Sequence, residues 1–512
     1  MGLAGRLIRL YGEYRAEFRK NEGVVGSQER ILRYLLKRAQ NTTFGRDHGF
    51  KEIKSVTDYQ KRVPIRTYEN YWEEYFKSRY PVFENLTWPG TIKYFAVSSG
   101  TSSGKTKYLP ISHEMLRNNQ KAALDVVIAH MLQTPRSNLF SGKCFVLGGT
   151  TGLKEEIPGV YSGDLSGIVG RCLPFWARPF YFPPPRISQI QSWEERLTNI
   201  AAELHQEKIV MMSGIPTWLL LVLQKVAEFH KVESVNLHEL FPYLSLFIHG
   251  GVDFAPYREQ FLKLSLGLKD LLDFREVYPA SEGFIAGQDK IDADLRLNTD
   301  HGIFFEFIPL AEINSESPTR LWIGNLEVDK DYAIVLTTCS GLFSYLIGDT
   351  VQVTSLNPPR LHVTGRTSYM LSAFGEHLLG KEIEMAVSQS AINAGVTVNE
   401  FSVRPLFPSS ADGIGRHQYA IELAVENSAK DSTDEEHLAT LIDAELRNKN
   451  DDYASLRKKD FAMLMPKVVL LPRGTFHQWM KDRGKLGGQH KVPRVIHDQA
   501  LFQSILETNP NG

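Results

Sequence analysis

Cysteine is scarce: Cys144, Cys172 and Cys339 are the only three in 512 residues, an odd number and widely separated. With no CxxC pair and no histidine cluster at metal-ligand spacing, a disulfide framework and a structural zinc site are excluded. Buried free thiols in a reducing compartment are the reading that remains, so a cytoplasmic location is expected. Net charge is nearly absent as well, with 58 Lys plus Arg against 59 Asp plus Glu. No overall field draws the chain to nucleic acid or to an anionic membrane. The most apolar run, Ile209 to Leu223, is about fifteen residues long and is interrupted by Ser213, Gly214 and Pro216, whereas a clean spanning helix needs about 20. No membrane span is expected, and the run reads as buried core. Low-complexity tracts and fixed-period repeats are also missing.

At the N-terminus Leu3, Leu7, Tyr11, Tyr14 and Phe18 recur at helical spacing beside Arg6, Arg9, Arg15 and Arg19. A transit peptide or a membrane-surface helix shares that pattern, but Glu13 and Glu17 oppose both. The expectation is a first helix packing one face on the body of the protein. A second helix is signalled by Ser27 as N-cap, followed by Ile31, Leu32, Leu35 and Leu36 on one face.

The length exceeds what one hydrophobic core usually supports, so two domains are expected. From Lys143 onward the short apolar segments "KCFVLGG", "IVMMSGIP", "LSLFIHGG" and "FREVYPASEG" alternate with amphipathic stretches at Trp193–Leu204 and Trp218–Phe229. That alternation predicts buried strands in a layered α/β domain. After Asp289 the segments "IFFEFIPL", "DYAIVLTT" and "PRLHVTGR" read as an antiparallel subdomain. From about Leu378 the order helix, two strands, helix, strand predicts a small α+β C-terminal domain, with the boundary near Gly365 to Gly375. The division expected is 1–366, a hinge at 367–376, and 377–512.

The densest chemistry lies in "SSGTSSGKTK", residues 98–107. A P-loop needs four residues between its first glycine and its Gly-Lys-Ser/Thr end, and Gly100 and Gly104 enclose three. Gly100 to Gly104 also satisfy GxSxG, but the residues that follow reach Pro110 without opening the helix that a nucleophile elbow requires. A third reading is a loop that holds phosphates while a carboxylate attacks the α-phosphate of ATP. That reaction needs hydroxyls, close backbone N–H groups and a lysine around the developing charge. Ser98, Ser99, Thr101 and Ser102 supply hydroxyls, and Lys107 or Lys105 supplies the charge.

Two distant motifs add to this loop. "VYPASEGF" sets Tyr278, Ala280, Ser281 and Glu282 at the end of a predicted strand, where ligands gather in α/β sheets. Glu282 is a candidate ligand for the magnesium that escorts ATP. "YLIGD" places Asp349 after a glycine, with two oxygens suited to a ribose diol.

A glycine-rich hydroxyl loop, then aromatic-x-Ala-Ser-Glu, then Tyr-x-x-Gly-Asp, then Gly-Arg resembles the adenylate-forming superfamily. "SSGTSSGKTKYLPIS", "RYLLKRAQNTTFGRDHGF", "VPIRTYENY", "FFEFIPL", "YLIGDTVQV" and "GGQHKVPRV" are similar, in order, to the Gretchen-Hagen-type acyl acid amido synthetases. The resemblance runs from about Gln28 to Arg494. It implies a large layered α/β N-terminal domain with an antiparallel subdomain and a small mobile α+β C-terminal domain. It also implies ATP and magnesium as cofactors, and a carboxylic acid and an amine, such as an amino acid, as substrates. By position, Ser98, Ser99, Thr101 and Ser102 would hold phosphates, Ala280 to Glu282 would meet nucleotide and magnesium, and Asp349 would hold the ribose. Arg366 falls at the superfamily's hinge arginine, and Lys491 in "QHKVPR" matches the catalytic lysine of the mobile domain.

Gly250 and Gly251 are candidates to lie along the adenine. "GGTTG" at 148–152 imitates a phosphate loop but lacks its serines and basic tail, and reads as a turn near the acyl site. Candidate walls of that site are Val126 and Trp218. Leu346 departs from the family, where arginine is common, and Pro279 stiffens a turn whose sequence differs in the plant enzymes. Two alternatives stay open: a ligase that forms an acyl-CoA or other thioester, and a degenerate nucleotide-binding protein of the same fold. A monomer or weak dimer is expected.

Overall fold

The apolar segments from Lys143 onward become the strands Lys143–Leu147, Ile209–Gly214, Leu246–Gly250 and Asp273–Ala280, which pair in parallel in that order. The computed structural model describes residues 3–21, 23–99, 106–134, 137, 139–149, 151–175, 177–232, 235–251, 254–265, 272–313, 315–367, 371, 373–374, 376, 378–407, 414–424, 434–457, 463–485 and 491–509. The chain forms two compact units: Met1–Gly100 with Lys105–Ile347 and Val351–His362, and Thr101–Gly104 with Gly348–Thr350 and Val363–Gly512.

The parallel strands read as nearly continuous hydrophobic runs because the sheet is covered on both faces. Phe145, Leu147, Met212 and Phe247 share one apolar cluster with Leu197, Ile200, Leu219, Val222 and Val226 of the helices Trp193–Leu204 and Pro216–His230. Val210, Leu246 and Ile248 share another with Val126 and Met131 of the helix His113–Gln133. Fully burying side chains of this size stabilises by about 1.5–3 kcal/mol each.

The segments after Asp289 form antiparallel strands, among them Ile303–Pro309, Lys330–Thr338 and Pro359–Arg366, which belong to the same twelve-stranded sheet. The switch is made at the hairpin between Asp273–Ala280 and Gly283–Gly287. A separate four-stranded sheet contains the hairpin Tyr94–Ser99 and Thr106–Ile111, with Ser98 opposite Lys107 and Ser99 opposite Thr106. In the second unit, Val398–Leu406, Arg416–Leu423 and Lys467–Leu471 make a three-stranded sheet. The helices Gly380–Asn393 and Glu435–Lys449 supply Ile383, Val387, Leu438 and Ile442 to the apolar cluster on it. The order helix, two strands, helix, strand is the one read from the sequence.

One helix start and one helix face differ from their sequence signals. The second helix is Val24–Ala39, with Gly23 at its N-cap. Ser27 lies inside it, and its hydroxyl donates to the Thr299 carbonyl at 3.3 Å. Ile31, Leu32, Leu35 and Leu36 are buried as the pattern predicts.

The first helix, Leu3–Asn21, packs through its arginine side and leaves Tyr11, Tyr14 and Phe18 exposed. Gly12 permits the approach, since a methyl group there would lie 2.6 Å from Ile128 Cγ2. Arg15 Nη2 then reaches Asp125 at 3.1 Å, and Arg19 Nη2 reaches Asp125 at 2.9 Å and Asp300 at 3.2 Å. His301 Nε2 is 3.0 Å from Asp125, and its Nδ1 is 2.9 Å from Asp300. Burial alone would raise both carboxyls, but His301 and the two guanidinium groups outweigh it and hold both below the usual range.

A carboxyl lowered in the folded state contributes stability above its unfolded pKa of about 4, and that stability is lost as pH falls. Breaking a buried ion pair costs about 3–5 kcal/mol. Asp300→Asn should therefore lower unfolding stability at pH 7 by roughly 3 kcal/mol, with the deficit shrinking at pH 3. Urea denaturation at the two pH values checks this, and an equal deficit at both would contradict the ion-pair account.

Candidate active site

In the first unit, the sheet delivers the aromatic-x-Ala-Ser-Glu residues to the carboxyl end of a parallel strand. Tyr278 and Ala280 end the strand Asp273–Ala280, and Ser281 and Glu282 form the turn into Gly283–Gly287. Tyr278, Ser281 and Glu282 are buried. Tyr345, fully buried at the start of the strand Tyr345–Leu356, has a hydroxyl whose pKa is pushed well up by burial and then by the nearby Glu282 carboxylate. Sequence reading missed Tyr345, although it is the first residue of "YLIGD".

Gly250 ends the neighbouring strand, where a methyl group would lie 2.2 Å from the Val277 carbonyl oxygen. Only glycine lets the two strand ends approach this closely. Beside it, His249 is buried and stacks on Phe254 with ring centroids 3.9 Å apart. Burial, and then the positive charge of Arg258, lower its pKa to about 3, so it is neutral. Gly251 follows at the exposed start of the next turn.

Of the hydroxyl loop, Ser98 is half-buried on the strand Tyr94–Ser99, which Ser99 closes. Thr101, Ser102 and Lys105 lie outside the described residues. Lys107, opposite Ser98, has its ammonium 5.5 Å from the Tyr68 ring centre, and the Tyr68 hydroxyl accepts from the Tyr108 N–H at 2.8 Å. Val126 and Trp218 are not brought together. Val126 belongs to the cluster on one face of the sheet, and Trp218 packs on the cluster of the opposite face. Leu346, like Ile65 and Ile313, packs against the cluster of Ile308, Ala333 and Val335, on the strand face opposite that of Tyr345.

Asp349, Arg366 and Lys491 all belong to the second unit. Arg366 Nε lies 2.7 Å from Asp349 Oδ1. Gly348, at φ 90°, supplies the left-handed backbone before Asp349 that other residues adopt only with strain. Downstream of Lys491 the chain is tied to the sheet: the Val403 N–H donates to the Arg494 carbonyl at 2.7 Å, and the Ile496 N–H to the Val403 carbonyl at 2.8 Å. Arg494 also pairs with Glu384 and Glu400. Lys491 is open to water, yet protein atoms crowding its ammonium, and then the Arg366 charge, lower its pKa to about 8 against the pull of Asp349 and Glu384.

Among the described residues no group of three or more His, Cys, Asp or Glu is placed to hold a metal ion. Glu282 is a single buried carboxylate, a donor set that suits a cation filling the rest of its shell with phosphate oxygens, as magnesium does with nucleotides. Nor is any helix among them long and apolar enough to cross a membrane.

The fold defines the class. The structure superposes on a GH3.15 acyl acid amido synthetase with TM-score 0.75, 17% identity and coverage of 94% of this chain and 93% of that one. It superposes on a 2-hydroxyisobutyryl-CoA ligase with TM-score 0.60, 14% identity and coverage of 93% and 90%. This is the mixed α/β fold of adenylate-forming ligases, with a large N-terminal body and a small C-terminal domain.

Within that class the chain belongs to the GH3 family: the family's N-terminal domain matches residues 19–152, its central domain 297–366 and its C-terminal domain 381–500. It is 26% identical over 209 residues to the indole-3-acetic acid-amido synthetase GH3.3 of Arabidopsis thaliana, covering 40% of this chain and 34% of that protein. It is 26% identical over 220 residues to the jasmonoyl-L-amino acid synthetase JAR4 of Nicotiana attenuata, covering 39% and 37%. The aligned stretch thus spans about a third of each of these relatives.

The Lys491 environment gives a direct check. Arg366→Ala removes a like charge while Asp349 and Glu384 still attract the ammonium, so the Lys491 pKa should rise. Labelling of Lys491 by an amine-reactive reagent at pH 8, followed by peptide mass spectrometry, should slow severalfold in the variant. An unchanged rate would contradict the assigned coupling.

Proposed function

We propose that the protein is an acyl acid amido synthetase acting in two steps. A carboxylic acid attacks the α-phosphate of ATP to give an acyl-adenylate and pyrophosphate. The amine of an amino acid then attacks the acyl carbon, giving an amide and releasing AMP. The observation that carries this reading is the ordered set of family motifs, with Ser281 and Glu282 buried at the carboxyl end of a parallel strand, where open α/β sheets bind ligands.

In this reading Ser98, Ser99, Thr101, Ser102 and Lys107 hold the phosphates through hydroxyls and charge. Gly250, Gly251, Tyr278, Ala280 and Ser281 line the nucleotide, and Asp349 accepts hydrogen bonds from the ribose, steadied by Arg366. Glu282 holds magnesium, which when bound screens the phosphate charge. Lys491 bridges the carboxylate and the α-phosphate as charge builds in the transition state. Residues 377–512 turn about the hinge 367–376 against 1–366 between the two steps. The family's amido synthetases support amide over thioester formation. Leu346 sits in an apolar cluster, which supports a packing role for this departure from the family and not the loss of turnover.

Purified protein given a panel of acids should catalyse acid-dependent ATP–pyrophosphate exchange, and release of AMP should then depend on added amino acid and not on coenzyme A. Lys491→Ala should lower the exchange rate on the order of 100-fold or more while ATP affinity changes little. Exchange should also fall as pH rises through about 8, where Lys491 loses its proton. Absence of exchange with every acid, or full activity of the variant, would contradict the assignment.

A further inference from the structure

Arg404, on the strand Val398–Leu406 of the second unit, is 8% exposed, and its Nε donates to Gln418 Oε1 at 2.9 Å. Its guanidinium lies 5.3 Å from the ring centre of Phe502, which belongs to an apolar cluster with Trp479, Met480 and Ile505. No other hydrogen bond and no ion pair of this guanidinium is found among the described residues. Burial lowers its pKa, and no carboxylate among those residues acts against that shift. A buried cation is strongly unfavourable unless an anion meets it.

Strand pairing sets this cation in a row of donors. Gln418 is directly opposite Arg404 on the strand Arg416–Leu423, and Lys467 is opposite Gln418 on the strand Lys467–Leu471. Alternation along the strands puts Arg416 and Gln418 on the face of Ala420, and Lys467 on the face of Leu471, which is the face on which Phe502 packs. Neither Arg416, half-buried, nor Lys467, exposed, has an ion pair among the described residues. Neighbouring strands are about 4.8 Å apart, so the backbones carrying three cations and one amide lie within roughly 10 Å of one another. No acidic residue stands in the row. The segment that carries Lys491 passes at its edge, where the pairing of Val495 with Val403 sets Ile496, and not Lys491, level with Arg404.

We propose that Arg404, Arg416, Lys467 and the Gln418 amide form a binding site, apart from Lys491, for a small molecule that carries two or more linked phosphates. A single carboxylate matches one guanidinium fork, whereas linked tetrahedral phosphates present oxygens in several directions and meet cations on all three strands. Two sources supply that chemistry, inorganic pyrophosphate and the polyphosphate tail of a nucleotide. The proposal does not depend on the amido synthetase reading, because the anion itself is the ligand.

Isothermal titration calorimetry on the intact chain, with pyrophosphate, ADP, inorganic phosphate and citrate as separate titrants, compares wild type with Arg404→Gln. The wild type should show a pyrophosphate-binding event that the variant loses or weakens at least about tenfold, and inorganic phosphate and citrate should occupy that site at least about tenfold more weakly. Arg404→Lys should restore part of the affinity, because it returns the charge without the fork. Pyrophosphate bound at least as tightly as ADP assigns the site to the inorganic anion; tighter binding of ADP, lost in Arg404→Gln, assigns it to a nucleotide.

Binding that does not depend on Arg404, or citrate held as tightly as pyrophosphate, overturns the proposal. If Arg404→Gln does not fold, Arg416→Gln and Lys467→Gln decide. Each should weaken pyrophosphate binding severalfold, and unchanged affinity in both overturns the site. Pyrophosphate binding through Arg404 in a protein that shows no acid-dependent exchange would instead overturn the adenylation reading and leave this site standing.

Discussion

At Gly250 the end of one parallel strand meets the Val277 carbonyl of the next so closely that no side chain fits between them. Strand pairing fixes the register of Asp273–Ala280 at that contact, and the register decides where the chain turns at Ser281 and Glu282. The turn in turn buries Glu282, whose carboxylate acts on the Tyr345 hydroxyl. Helices on both faces of the sheet make the strands apolar throughout, so chemistry can be placed only at their ends. Glycine at 250 is therefore as much a part of the candidate site as the acidic residue it helps to position.

The second unit solves a different problem, that of keeping a cationic side chain close to another cation. Asp349 pairs with Arg366, and crowding by protein atoms and then the Arg366 charge leave Lys491 with a proton that it holds less firmly than an ordinary lysine, against the pull of Asp349 and Glu384. The segment carrying Lys491 is held to the three-stranded sheet by backbone bonds to Val403. A charge that must meet an anion during a reaction is better poised when it is fixed and only partly hydrated.

Much of this was legible because the relevant signals are local. Short apolar runs ending in glycine announced the parallel strands, and "YPASEG" placed Glu282 at the end of one. What escaped depends on partners far along the chain. Periodicity in the first helix shows that one face packs, but two stripes competed, one aromatic and one basic. The basic one packs because Asp125, 110 residues from Arg15, and Asp300 are there to receive it. Ser27 looked like a cap because Ser is a strong one, yet the helix begins three residues earlier and its hydroxyl serves Thr299. Likewise, nothing near "IFFEFIPL" says that its strand belongs to the large sheet and not to one of its own. Val126 and Trp218 looked interchangeable as apolar walls, and only the sheet between them separates their roles.

The central claim is that the acid is activated by bonding one of its own oxygens to the α-phosphate. It is tested most directly by supplying a carboxylic acid labelled with oxygen-18 in its carboxyl group, together with ATP and an accepted amino acid, and analysing the products by mass spectrometry. The account predicts one labelled oxygen in AMP, because the bond made to phosphorus survives when the amine displaces the adenylate. Label in pyrophosphate or inorganic phosphate, or amide formation with unlabelled AMP, would contradict it.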